Sequence, residues 1–221
     1  QRQMCIRDSL SDDDYNQALS LDGIEGAIND GNTLTRNLVL NASSEILSDL
    51  KVRQAIAYAV NKEEITKGLT YGYETPATSL FAPGAPYTDI TYNSTWSYDL
   101  DKANALLDEA GWVMNESTGI REKDGQKLTI KWLTYPTRQE LPLLAEAAQA
   151  SLKEIGIEVD INNTLDVNEV VQDASAWDVY AMANVQAPTG DPEYWFRVFA
   201  LSDSAKNQGK YSNAQLDALD E

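Results

Sequence analysis

The residues best equipped for chemistry lie between Asn184 and Phe199, around the run A-P-T-G-D-P-E-Y-W-F-R-V-F. Two turn signals stand beside a group of aromatics and one guanidinium, a set suited to holding an organic ligand rather than to breaking a bond. Arg197 is the only arginine after Arg138, and its planar fork matches a carboxylate. The surplus of acids leaves a surface salt bridge open as its other role. Tyr194, Trp195, Phe196 and Phe199 either line a site or pack the core. Upstream, Tyr71, Tyr73, Tyr87, Tyr92, Trp96 and Tyr98 bracket a long loop, and they either line an amphipathic cleft or anchor that loop.

What is missing narrows the chemistry further. The 221 residues contain no histidine and a single cysteine. No Ser-His-Asp triad, Cys-His pair or His-ligated zinc site can be assembled from this chain alone, and internal disulfides are excluded. There is no Gly-rich phosphate loop, and the Asp clusters lack calcium-loop spacing. Chance adjacency explains paired carboxylates in a chain with 35 acids, although a glycosidase-type acid/base pair stays open. With 17 bases the formal net charge is −18, spread along the chain, which disfavours nucleic acid and anionic membrane surfaces as partners. No stretch approaches the length of a membrane span, and no signal peptide or lipoprotein cleavage box precedes Cys5.

The elements that must position these groups alternate. Residues 37–41 form a short apolar strand, followed by a helix from Leu50 with Val52, Ile56, Ala59 and Val60 on one face. Asn61 and Glu64 have the spacing of a capping box for a second helix ending near Gly72. Residues 73–98 form a long loop, then Asp99 caps a helix that Gly111 closes. Strand signals at Leu128–Trp132 and Ile157–Ile161 flank a helical pattern from Leu141 to Ile155; a weaker helix over 167–174 and a strand over 177–183 follow. Such alternation predicts an α/β domain with part of its sheet parallel. The first nine residues, Q-R-Q-M-C-I-R-D-S, fit nothing downstream and read as a non-native stub, and the chain stops inside an amphipathic run with Leu216 and Leu219. Both ends are therefore expected to be cut.

Four segments carry a resemblance: V-R-Q-A-I-A-Y-A-V-N-K-E-E-I from Val52, L-F-A-P-G-A-P-Y from Leu80, Y-D-L-D-K-A-N-A-L-L-D-E-A-G-W from Tyr98 and I-R-E-K-D-G-Q-K-L from Ile120. In this order they resemble the large solute-binding proteins that serve peptide and nickel ABC importers, extracellular solute-binding family 5, with the second and fourth segments closer to the nickel and metallophore branch. The resemblance implies a class II periplasmic-binding-protein-like α/β fold of the large two-lobed type that closes on its ligand, not an enzyme. Residues 10–48 would be a remnant of the first lobe and 49–221 a truncated second lobe. It further implies a monomer working with membrane permease subunits, placed in the periplasm or on the cell surface as a lipoprotein.

This chain departs from that pattern at the site. The family's peptide binders carry an amine-anchoring Asp just before the Asp-Pro turn, and that position falls at Ala187 or Pro188. The nickel binder's Trp falls at Val185 or Gln186, its Tyr at Thr189 or Gly190, and its metal-touching His near Ser204. No metal ligand or resident cofactor is expected from the chain itself, because hard oxygen donors alone match nickel poorly. A metal already wrapped in an aminocarboxylate chelator presents carboxylates instead. Arg197 with Asn184, Gln186 and Asn207 would hydrogen-bond that rim, while Thr189, Tyr194, Trp195 and Ser204 complete the expected site. A short peptide is the alternative ligand, with an acid such as Asp191 as amine anchor.

Overall fold

A computed structural model describes residues 11–27, 34–81, 90–92 and 95–218. The expected stub at 1–9, most of the L-F-A-P-G-A-P-Y segment with Tyr87, and Leu219 lie outside the described residues.

Local chemistry sets the first elements. Helix α1 (Asp12–Leu19) is capped by Ser11 and precedes strand β1 (Leu34–Leu40). Helix α2 (Leu50–Ala59) starts at Asp49, whose carboxylate accepts from the Lys51 amide at 2.8 Å, and it buries Val52, Ala55, Ile56 and Ala59 along one face. In α3 (Lys62–Thr70) the Asn61 side chain accepts from the Glu64 amide at 3.1 Å. Glu64 reaches back to the Asn61 side-chain amide at 3.0 Å, not to the backbone amide that a capping box uses. Asp99 caps α4 (Leu100–Glu109) through the Lys102 amide, and Gly111, at φ 84°, ends it.

An unexpected small sheet follows. Strands β2 (Val113–Asn115), β3 (Ile120–Lys123) and β4 (Gln126–Lys127) form an antiparallel meander. Asp124-Gly125, with φ values of 52° and 80°, supplies the tight hairpin turn. That dipeptide is the signal the apolar periodicity did not carry. Arg121 on β3, only 3% exposed, fastens this sheet to the main body. Its guanidinium donates to the Ile155 carbonyl at 2.9 Å and to Asn104 Oδ1 at 2.8 Å, and it also engages Asp108 and the Trp112 carbonyl.

The rest is the expected α/β alternation: β5 (Thr129–Thr134), α5 (Glu140–Lys153), β6 (Glu158–Asn163), the short α6 (Val167–Val170) and β7 (Val179–Val185). One turn of helix, α7 (Glu193–Trp195), runs on as a π-helical turn (Phe196–Ala200) before α8 (Ala214–Asp217). The main sheet has the order β1-β7-β5-β6, with β5 parallel to both β6 and β7 and β1 antiparallel to β7. Helix α6 is shorter than expected and β7 begins later. The indole of Trp177 is buried, donating to the Val171 carbonyl at 3.1 Å, and this packing occupies the stretch between them. Apolar residues cover both faces, as parallel strands require. Ile130, Trp132, Val179 and Ala181 pack with α2, α4 and α5 on one side, while Leu133, Tyr180, Trp177 and Val171 cluster on the other.

Residues on either side of position 48 pack together. Strand β1 pairs with β7 over seven residues, and Leu47 is fully buried in the main core. The join is secured by Asn41, which is 0% exposed. Its backbone amide donates to the Asp178 carbonyl at 2.9 Å and its side-chain amide to the carbonyls of Ala174 and Trp177 at 2.8 and 3.0 Å. Asp178 in turn accepts from the Lys131 amide at 2.7 Å, which ties β1, β7 and β5 together. Asn41→Ala should cost about 2–3 kcal/mol by leaving buried carbonyls unpaired, measured as a lower urea midpoint at unchanged slope.

Burial beside Tyr135 pushes the Tyr180 hydroxyl up to about 12. The folded state therefore holds a proton that the unfolded chain releases near pH 10. This contribution is present below pH 10 and lost as pH rises through about 12. Tyr180→Phe should flatten the alkaline decline of the thermal midpoint.

Candidate functional site

The edge strand β1 forms the floor of a large cleft of about 1550 Å³. One wall comes from α2 and α3, and a second from the 73–81 segment. The π-helical turn and the 206–216 segment close the far side. The position of the floor follows from sheet order: among the described residues β1 has a neighbouring strand on one side only, so its other edge borders the cleft.

The aromatics gather at the π-helical turn. A π turn inserts one residue and re-aims the side chains that follow, a feature frequent at functional sites. Here the Leu201 amide donates to the Phe196 carbonyl five residues earlier, at 3.0 Å. Trp195, Phe196 and Phe199 face the cleft. The Trp195 ring lies 5.5 Å from that of Phe196 and 6.0 Å from that of Phe199, and Phe81 meets Phe196 edge-on. Of the aromatics bracketing the long loop, Tyr73 and Trp96 line the cleft. Tyr71 instead donates to Asp13 on α1 at 2.7 Å, and Tyr92 and Tyr98 are exposed.

The charged lining runs against the composition of the chain. Arg36, Arg53, Lys62 and Lys206 supply four cations among the described lining residues, against two acids, Asp12 and Glu74. The whole chain holds 17 bases and 35 acids. Lys62 Nζ donates to the carbonyls of Ala77 and Thr95 at 3.2 and 3.1 Å, fixing the loop wall to α3. Arg36 pairs with Glu74 and, at 3.1 Å, with Glu140 on α5, and its Nε is buried without a partner among the described residues. Burial pulls the Arg36 guanidinium down, but the hydrogen bonds and charges of Glu74 and Glu140 together carry it above its ordinary value. Asp12 is held above the usual carboxylate range, first by burial and then by the charge of Glu74, against the opposing pull of Arg36.

The residues expected at the site separate. Asn184 and Trp195 line the cleft. Gln186, 1% exposed, stands just behind Asn184 and donates to Asn37 Oδ1 at 3.0 Å. Asn207, 4% exposed, is a structural clamp that donates to the carbonyls of Leu201 and Tyr211 and accepts from the Tyr211 amide. Ser204 donates to the Val198 carbonyl, closing the turn after the π helix. Thr189 and Tyr194 are exposed outside the cleft lining. Arg197, expected on a ligand carboxylate, makes an exposed ion pair with Glu193 at 2.8 Å, one helical turn away. The guanidinium at the cleft is Arg36. It sits in the strand sequence L-T-R-N-L-V-L, and a charge inside an apolar strand is the signal that marks it, since such a group needs a partner.

Arg36→Met should strongly destabilise the protein at pH 7, by about 3–5 kcal/mol, because two partly buried carboxylates lose their counter-charge. Urea unfolding measures it.

Comparison with known proteins places this geometry. The profile of the bacterial extracellular solute-binding proteins, family 5 (middle), matches residues 4–207. The nickel-binding periplasmic protein of Escherichia coli is 38% identical over 124 residues, covering 56% of this chain and 24% of that protein. The oligopeptide-binding protein OppA of Lactococcus lactis is 41% identical over 120 residues, covering 53% of this chain and 20% of that protein. The crystal structure of Staphylococcus aureus NikA in complex with Ni(L-His)2 superposes with a TM-score of 0.79 at 27% identity, over 95% of this chain and 43% of that one. The chain thus spans about a quarter or less of these two curated relatives.

Proposed function

Because the chain belongs to the bacterial extracellular solute-binding proteins of family 5, we propose that it is part of the binding component of an ABC importer whose cleft captures a metal already wrapped in a carboxylate-bearing chelator. The observation that carries this reading is the inverted charge of the cleft, four cations to two acids in a chain of net charge −18. A carboxylate rim is attracted to such a lining, and the low-dielectric aromatic wall strengthens the attraction. A bare nickel ion is not. The chain has no histidine, and among the described residues no group of three or more His, Cys, Asp or Glu is arranged to hold a metal. The chelator would supply the metal's donors, and the protein would recognise its outside. The resemblance to NikA holding Ni(L-His)2 supports a chelated metal as cargo.

In this proposal the cleft is one half of the site. A second lobe closes over the ligand, excludes water and creates the surface that membrane permease subunits read. The working form is a monomer at the cell envelope, held as a periplasmic or lipid-anchored protein. Among the described residues no helix is long and apolar enough to cross a membrane.

A short peptide is the second reading, supported by the OppA relative and by Asp12 and Glu74 in the cleft, where a free amine would find a counter-charge.

Trp195 and Trp96 line the cleft and report its occupancy. Titration of the full-length protein by tryptophan fluorescence should show saturable binding of nickel–EDTA or nickel–bis-histidine, weakening as salt rises, with no response to the hydrated ion. Saturable binding of peptides with no response to either chelate would overturn the reading in favour of the peptide alternative.

A further inference from the structure

Asn37 on β1, Asn184 on β7 and Gln186, one residue beyond the end of β7, form a line of three amides. Gln186 Nε2 donates to Asn37 Oδ1 at 3.0 Å, and Asn37 Nδ2 donates to Asn184 Oδ1 at 2.5 Å. Every donor points the same way, from Gln186 towards Asn184. The two ends of this line are left over: among the described residues, Gln186 Oε1 and Asn184 Nδ2 are both buried without a partner. Asn37 and Asn184 line the cleft, and Gln186 stands behind them. Leaving a buried amide donor unmatched is unfavourable, a penalty that a ligand acceptor would remove.

We infer that Asn37, Asn184 and Gln186 form a polarised hydrogen-bonding subsite that gives the Asn184 amide donor to a carboxylate oxygen of the ligand, with Asn37 as the residue that sets its direction. The inference deepens the chelate reading and rests on it. Direction is the property that matters. Turning all three amides over preserves both internal hydrogen bonds and exchanges the ends, so that Asn184 then offers an oxygen. An anionic ligand selects the donor setting, and Asn37 transmits the choice because it alone touches both neighbours.

Two substitutions lock the chain in the opposite setting. In Asn37→Asp the new carboxylate can only accept, so Gln186 and Asn184 both donate to it and Asn184 turns its oxygen outward. In Asn184→Asp the cleft end is an oxygen outright. Titrated with nickel–EDTA in the full-length protein, each variant should bind about tenfold more weakly than the wild type, one hydrogen bond's worth to a charged acceptor. Thermal midpoints should stay close to wild type, since the internal bonds are kept.

Folded variants that bind nickel–EDTA as tightly as the wild type would overturn the subsite while leaving the chelate reading standing. If Asn37→Asp does not fold, Asn184→Asp decides. A wild-type protein that binds no nickel chelate would overturn the chelate reading and the subsite with it.

Discussion

The seven-residue antiparallel pairing of β1 with β7 is the constraint on which the site depends. It sets Asn37 beside Asn184 and Gln186 and makes β1 the edge that floors the cleft. Register in a strand pair is an all-or-none property, because a slip of one residue exchanges its faces. Here such a slip would turn Arg36 away from Glu74 and Glu140 and strip the main core of Leu38 and Leu40, which share its face. The Asn41–Asp178 lock at the start of β7 holds the register by main-chain and side-chain bonds at once. The proposed recognition would therefore depend on the same strand pairing that stabilises the fold.

Around this floor, charge is handled by placement rather than number. The chain carries an acid excess on its surface, yet its cleft collects cations from β1, α2, α3 and the 206–216 segment. Two of these cations also build the walls. Arg36 ties β1 to Glu74 and to α5, and Lys62 holds the loop carbonyls of Ala77 and Thr95. A cation already engaged in the scaffold is preorganised and loses less freedom when a ligand arrives. The aromatics on the π turn complement them with an apolar face that needs no charge.

Much of this architecture is legible in the sequence, because helix faces and caps depend on neighbours a few residues apart. The apolar stripe of α2, the Asn61 and Asp99 caps, the stop at Gly111 and the partly parallel sheet all follow from local pattern. The cleft is less legible because it is made by strand pairing. Arg36 and Asn37 lie about 150 residues from Asn184 and Gln186, and nothing local in L-T-R-N-L-V-L indicates which strand it will join. The same gap explains Arg197. Its type suits a carboxylate ligand, but helical spacing places it on Glu193, and an adjacent partner engages it before a distant site can. Asn207 has the polar chemistry of a site residue, yet three main-chain bonds occupy its side chain. Trp195 and Asn184 reach the cleft because a π turn and a strand end place them there.

The central claim is that the cargo metal keeps its own donors and that the protein touches only the chelator. X-ray absorption at the nickel edge, on full-length protein loaded with nickel–EDTA, tests it most directly. The account predicts a coordination sphere unchanged from that of the free nickel–EDTA complex. A sphere in which protein oxygen, nitrogen or sulfur has replaced chelator donors would contradict it.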